Sequence, residues 1–202
     1  MLNLVRKDIL LQKNTLLIML PLLIIYLLSG SSVTWVSIVF CVVVIMNAFA
    51  FDEKSSINLL LNSLPYTRKE IVSSKYISAC VFTLLVLFTI FIGNLVIHKE
   101  ILQREQILIT ISIVGIFISL AFPFSYFFKS QYLLIGFGVS FVIYMVIVNT
   151  FIVDLNDRIR DLIQIMLSFS NTQMYLLIIF SVMLLYIISW LFSIRIYSKK
   201  VF

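Results

Sequence analysis

The stretch Tyr76–Ile97, YISACVFTLLVLFTIFIGNLVI, holds 22 consecutive residues without a charge. At 1.5 Å per residue a helix of that length reaches about 33 Å, enough to cross the hydrocarbon core of a bilayer. Hydrocarbon offers no partner to backbone N–H and C=O groups, so only helices or closed barrels can span it. Barrel strands alternate apolar and polar residues over about ten positions, and this run does neither. Five further runs have the same character: Thr15–Leu28, Val33–Phe51, Ile107–Phe128, Tyr132–Val153 and Met174–Ile194. The first is short, carries Pro21, and is expected to extend back through Ile9–Leu11 with a kink at the proline. Its basic start, apolar stretch and Ser29–Ser32 also have the outline of a signal peptide; the expectation is a retained helix.

Composition agrees with the runs. The 202 residues are 62% hydrophobic and 12% charged, with a mean hydropathy of +1.14, whereas soluble domains are roughly half apolar and a quarter charged. The expected fold is all-α: a polytopic membrane protein with six transmembrane helices and one domain over residues 1–202.

Charge gives the expected orientation. Six runs leave seven connecting or terminal segments. One alternating set of these holds Arg6, Lys7, Lys13, Lys54, Arg68, Lys69, Lys75, Lys129, Arg195, Lys199 and Lys200, eleven of the fifteen basic residues. The other set holds only Lys99, Arg104, Arg158 and Arg160. Basic loops mark the cytoplasmic side, so both termini are expected there. The net charge of +6 reads as topology rather than nucleic-acid binding, which needs a folded basic face.

Residues 1–14 read as an amphipathic helix on the cytoplasmic surface, with Asn3, Arg6, Lys7 and Lys13 on one side and Leu2, Val5, Ile9 and Leu10 mainly on the other. Two connections are longer than a compact bundle needs. Within the first, Asp52–Ser74, Ile57, Leu60, Leu61 and Leu64 recur at helical spacing while Lys54, Asn58 and Asn62 line another face. That predicts a short amphipathic helix over 53–64, with Asp52 as N-cap, ended by Pro65. Thr67-Arg68-Lys69-Glu70 then has the form of a capping box, which starts the third membrane helix near Arg68. Lys75 can snorkel and Tyr76 suits the aromatic belt. In the second long connection, Leu155, Ile159, Leu162, Ile163, Met166 and Phe169 share a helical face, predicting an outer amphipathic or re-entrant helix over 155–170. For either helix, a plain interfacial brace is the alternative to a functional part.

The string Asp52-Glu53-Lys54, then Leu64-Pro65-Tyr66-Thr67-Arg68-Lys69-Glu70-Ile71-Val72, then Lys75-Tyr76 resembles the small ABC-2 type permease subunits of bacterial ABC exporters. It covers the 25 residues Asp52–Tyr76, and the six-run layout carries the likeness over the whole chain. Among these permeases the chain looks most like exporters of amphipathic or antimicrobial peptides, such as phenol-soluble modulin exporters. The resemblance implies that 53–64 is a coupling helix docked on a separate cytoplasmic ATPase, with Glu53, Lys54, Asn58, Asn62 and Arg68 as polar contacts and Leu60, Leu61 and Leu64 as apolar ones. It also implies a second permease copy, identical or related, ATP and Mg on the ATPase alone, and residence in the bacterial cytoplasmic membrane. The outer helix resembles the element that caps the pathway in such exporters.

Other chemistry is poorly supported. The chain has no Gly-x-x-x-x-Gly-Lys-[Ser/Thr] to cradle ATP and no Gly-x-Gly-x-x-Gly around Phe137. His98, the single histidine, is expected as a solvated residue at the outer edge of the third run, leaving none within a run to serve a serine nucleophile. No metal-ligand spacing is present, and Cys41 and Cys80 are expected as buried free thiols. No catalytic residue, metal or cofactor is therefore assigned. Asn47, Asn94 and Asn149 must face a helix or a cavity, since amides are costly in lipid, and are the candidates for a substrate pathway. The absence of charge deep in the runs suits a greasy substrate. Two other readings compete: a substrate-binding subunit of an energy-coupling-factor importer, which the leucine-rich first run disfavours, and a structural or regulatory membrane subunit.

Overall fold

In the computed structural model, the described residues are 2–29, 32–54, 66–99, 101–128 and 171–199, with positions 132, 139 and 143. Among them are five helices and no strand: α1 (Leu2–Leu28), α2 (Val33–Lys54), α3 (Arg68–Ile97), α4 (Arg104–Phe127) and α5 (Asn171–Lys199). All five are long and apolar enough to cross a membrane. The fifth run (Tyr132–Val153) and the outer helix (155–170) lie outside the described residues, as does most of the 53–64 helix.

The segment 2–14, read from sequence as a separate surface helix, is the first half of α1, which runs unbroken for 27 residues. Nothing between Lys13 and Thr15 stops a helix. Pro21 sits inside it, a position that membrane helices tolerate. The face of α1 turned to the bundle is a stripe of buried residues, Leu4, Asp8, Gln12, Leu23 and Leu27. Leu10, from the side read as apolar, is exposed.

α1 and α2 form an antiparallel hairpin through residues 29–32, and α3 and α4 another through 98–103. Thr67 caps α3 as the sequence predicts: its Oγ1 accepts from the Glu70 amide and Glu70 Oε2 accepts from the Thr67 amide at 2.8 Å. The hairpin turn places Lys99 in the left-handed region at φ 55°, which a residue with a Cβ adopts only at some cost.

The most extensive helix pair is α4 with α5, and it is parallel. Tyr175 donates to Glu105 Oε1 at 2.8 Å at one end, Gly115 faces Val182 in the middle, and the rings of Tyr126 and Tyr197 meet edge to face at 5.4 Å at the other. Gly115 makes this approach possible, because a Cβ there would lie 2.7 Å from Val182 Cγ1. α3 packs against α5 and against both helices of the first hairpin. The starts of α1 and α3 and the ends of α2, α4 and α5 thus share one end of the bundle, called here the near end. An aromatic cluster lies just inside it: Phe49 and Tyr76 each meet Phe122 edge to face, at 4.6 and 4.7 Å.

Candidate functional site

The near end is where the segment 53–64 joins the bundle, and the first three turns of α3 make most of its polar contacts. Thr67 and Glu70 fix where α3 starts. One residue later, Arg68 Nη1 donates to the carbonyls of Ser198, at 2.6 Å, and Tyr197, at 3.3 Å, in the last turn of α5. Terminal carbonyls of a helix have no intrahelical partner and carry its negative dipole end, so a guanidinium is well placed there. Arg68, assigned from sequence to the ATPase contact, is therefore engaged with α5.

Lys75 and Asp8 form an ion pair at 2.8 Å across α3 and α1, with side chains 7% and 2% exposed. Ser78 donates to the other carboxylate oxygen at 2.8 Å, and Lys7 lies 3.2 Å from Asp8 Oδ1. Charges within membrane helices are costly unless paired and turned to the bundle interior, and Asp8 meets both conditions. Gln12, one turn further along α1, donates to Val44 O of α2 at 3.2 Å. The single residue Asp8 thus joins the first helix to the third, and Gln12 joins it to the second.

A second polar chain ties α3 to α5 and α4. Tyr76 OH lies 2.7 Å from Ser189 Oγ and 2.8 Å from Ser193 Oγ. Ser189 donates its proton to Ser119 O of α4 at 2.7 Å. The proton between Ser189 and Tyr76 must then come from tyrosine, and Ser193 supplies the one between itself and Tyr76. The chain runs Ser193 to Tyr76 to Ser189 to the Ser119 carbonyl, with every hydroxyl donating once. Beside it, Tyr186 OH donates to Tyr76 O at 2.8 Å and Trp190 Nε1 to Ser73 Oγ at 3.0 Å.

The other residues singled out from sequence separate. Glu53 and Lys54 form the last turn of α2. Asn58, Leu60, Leu61, Asn62 and Leu64 lie outside the described residues, as does Asn149. Asn47 is half-buried on α2 towards the near end, and Asn94 is buried three residues from the far end of α3. They are not brought together, and no described polar cavity contains both. Cys41 is buried, but Cys80 is exposed, with its sulfur 3.2 Å from Tyr186 OH; helix rotation puts residue 80 on the outer face of α3. His98 is exposed at the far end, as expected, with Nε2 3.0 Å from Leu27 O at the end of α1.

Asp8, Ser78, Ser189, Ser193 and Trp190 were not identified from sequence. Asp8 carried a signal, as the one acidic residue in a basic opening segment; the serines are common in every run and carried none.

A family model described as ABC-2 family transporter protein matches residues 3–198. No curated protein and no solved structure matches the chain.

Proposed function

We propose that this chain, which belongs to the ABC-2 family of transporter proteins, is the permease subunit of an ATP-driven exporter, moved by a separate ATPase through the segment 53–64. Membership makes it a multi-pass membrane protein and a permease of an ABC transporter, a class that works with an ATPase partner. Export as the direction, an amphipathic or hydrophobic substrate such as a peptide, and a second permease copy complete the reading. ATP and Mg would be held by the ATPase, and this chain would carry no catalytic step.

The observation that carries the coupling role is the way α3 is held at its start. A push on 53–64 arrives at Thr67, where the capping box fixes the helix end. Within three turns α3 is bonded to α1 through Asp8 and to α5 through Arg68 and Tyr76. Displacement at the near end would therefore move three helices together instead of bending one loop. The absence of charge within the apolar runs favours a greasy cargo over an ion. Six crossings are supported by α4 ending at the near end while α5 starts at the far end. Positive charge on the near end supports its cytoplasmic placement.

The test is co-purification in mild detergent. A soluble protein with a phosphate-binding loop should accompany the wild-type chain and be lost from Leu61→Asp, with membrane insertion unchanged. If the ATPase stays bound to Leu61→Asp, or if none accompanies the wild type, the coupling assignment fails.

A further inference from the structure

At the near end, α4 and α5 enclose a groove of about 500 Å³ lined by Tyr126, Phe127, Phe192, Arg195, Ile196 and Lys199. Its apolar wall is outward-facing: Phe127 and Phe192 are 66% and 55% exposed. Arg195 and Lys199 stand one turn apart on α5, where Cβ atoms lie about 6 Å from each other, so both can reach one anion. Among the described residues neither side chain makes an ion pair or a hydrogen bond. Cations in the last turn of a helix ordinarily serve its terminal carbonyls, but Arg68 already donates to those of Tyr197 and Ser198. The two cations are thus left facing a groove whose remaining wall is aromatic and aliphatic.

We propose that this groove binds an anionic phospholipid of the adjoining leaflet, with its phosphate between Arg195 and Lys199 and an acyl chain along Phe127, Phe192 and Ile196. The charge complementarity selects a phosphate, and the exposed rings select a ligand that brings a hydrocarbon chain, which a free anion lacks. A second groove of about 520 Å³, between Val81, Leu85, Phe88, Ile107 and Ile111, is apolar throughout and has no group that distinguishes one occupant from another. The lipid would bridge the parallel α4–α5 pair at the end where α3 is bonded to α5.

The experiment compares full-length protein in mixed micelles containing phosphatidylglycerol, phosphatidylcholine, or inorganic phosphate without added phospholipid. Thermal unfolding and native mass spectrometry of retained lipid are read in parallel. Phosphatidylglycerol should raise the midpoint and stay bound, while the other two leave it unchanged. The Arg195→Gln/Lys199→Gln variant should bind it more weakly by about fivefold for each cation neutralised. Arg195→Lys/Lys199→Arg should retain binding, and Lys13→Gln/Lys69→Gln, which removes as much charge from other near-end positions, should match the wild type. Equal loss in the Lys13/Lys69 variant would mean a diffuse surface field, and equal binding of phosphatidylcholine would mean an unselective acyl groove. Stabilisation by inorganic phosphate alone would mean a free-anion site. Any of these three results overturns the proposal, as does unchanged phosphatidylglycerol binding by Arg195→Gln/Lys199→Gln.

Discussion

Replacing Asp8 by Asn is the sharpest perturbation of the near end. The change keeps the side-chain shape and leaves a carbonyl oxygen to accept from Ser78, but removes the charge that meets Lys75 at 2.8 Å. Removing one charge of a buried ion pair costs about 3–5 kcal/mol, most of it the desolvation of the opposite charge. Lys75 lies near the end of α3 and can partly snorkel, which places the expected loss at the low end, about 3 kcal/mol. Lys75→Met should cost less, about 2 kcal/mol, because Asp8 keeps Lys7 at 3.2 Å and the Ser78 bond. The double variant leaves no buried charge uncompensated in this pair and should recover part of the loss, with a coupling energy of about 2 kcal/mol. The assay is unfolding in bicelles by titrated SDS, followed by tryptophan fluorescence. Of the two tryptophans, Trp190 donates to Ser73 at the near end, and a Trp35→Phe background makes it the sole reporter. Single-variant losses that add to within about 0.5 kcal/mol would show that the pair is not energetically linked. Asp8→Asn costing less than Lys75→Met would refute the burial argument, since Lys75 would then be the better-compensated partner.

Leu60→Asp on the segment 53–64 should insert normally and leave ATP hydrolysis by the partner running without export, measured as ATPase activity against substrate efflux. Gly115→Ala should destabilise by about 1–3 kcal/mol, because the new methyl group must displace Val182; Gly115→Ala/Val182→Ala should recover most of it in the same SDS titration. Tyr76→Phe removes the central hydroxyl of the Ser193–Tyr76–Ser189 chain. Interhelical hydrogen bonds in membranes average well under 2 kcal/mol, so a loss of about 1 kcal/mol is expected, and no change would mean that the two serines re-pair without it.

The sequence determines the helices and says little about which helices meet, for a physical reason. A run such as Tyr76–Ile97 is legible because lipid demands length and apolarity from every crossing, and the capping box at Thr67 is legible because its partners are three residues apart. Asp8 and Lys75 are 67 residues apart, and Tyr76 and Ser189 are 113 apart. Between helices in lipid the solvent is as apolar as the side chains, so packing is selected by small residues and hydrogen-bonding groups. These are single positions, Gly115, Ser119, Ser189, scattered through runs whose other polar residues look the same. Reading residues 1–14 as a surface helix followed from placing Arg6, Lys7 and Lys13 in water and counting Asp8 with them. In the fold Arg6 and Lys13 part company with Asp8: they are exposed, while Asp8 turns inward to Lys75 and keeps only Lys7 of the three beside it.

That inward turn bears on how motion could pass through the bundle. α4 and α5 are joined along their length by close packing at Gly115 and by the Ser189–Ser119 bond, so they would shift as one unit. α3 meets α4 only sparingly but is bonded to α5 at the near end through Arg68 and Tyr76, and to α1 through Asp8. Under the proposed coupling, force entering at Thr67 would reach α4 by way of α5. Among the described residues, α2 is held to α1 by the Gln12 bond and to α4 by apolar contacts such as Phe49 with Phe122, which can slide with little loss while their area stays buried. A bundle joined by directional bonds on one side of α3 and by apolar surface on the other would yield first between α2 and its neighbours α3 and α4. Under the proposed coupling, the polar chain at Tyr76 would make α3, α4 and α5 travel together, and the aromatic cluster at Phe49 and Phe122 is where α2 would slide against them.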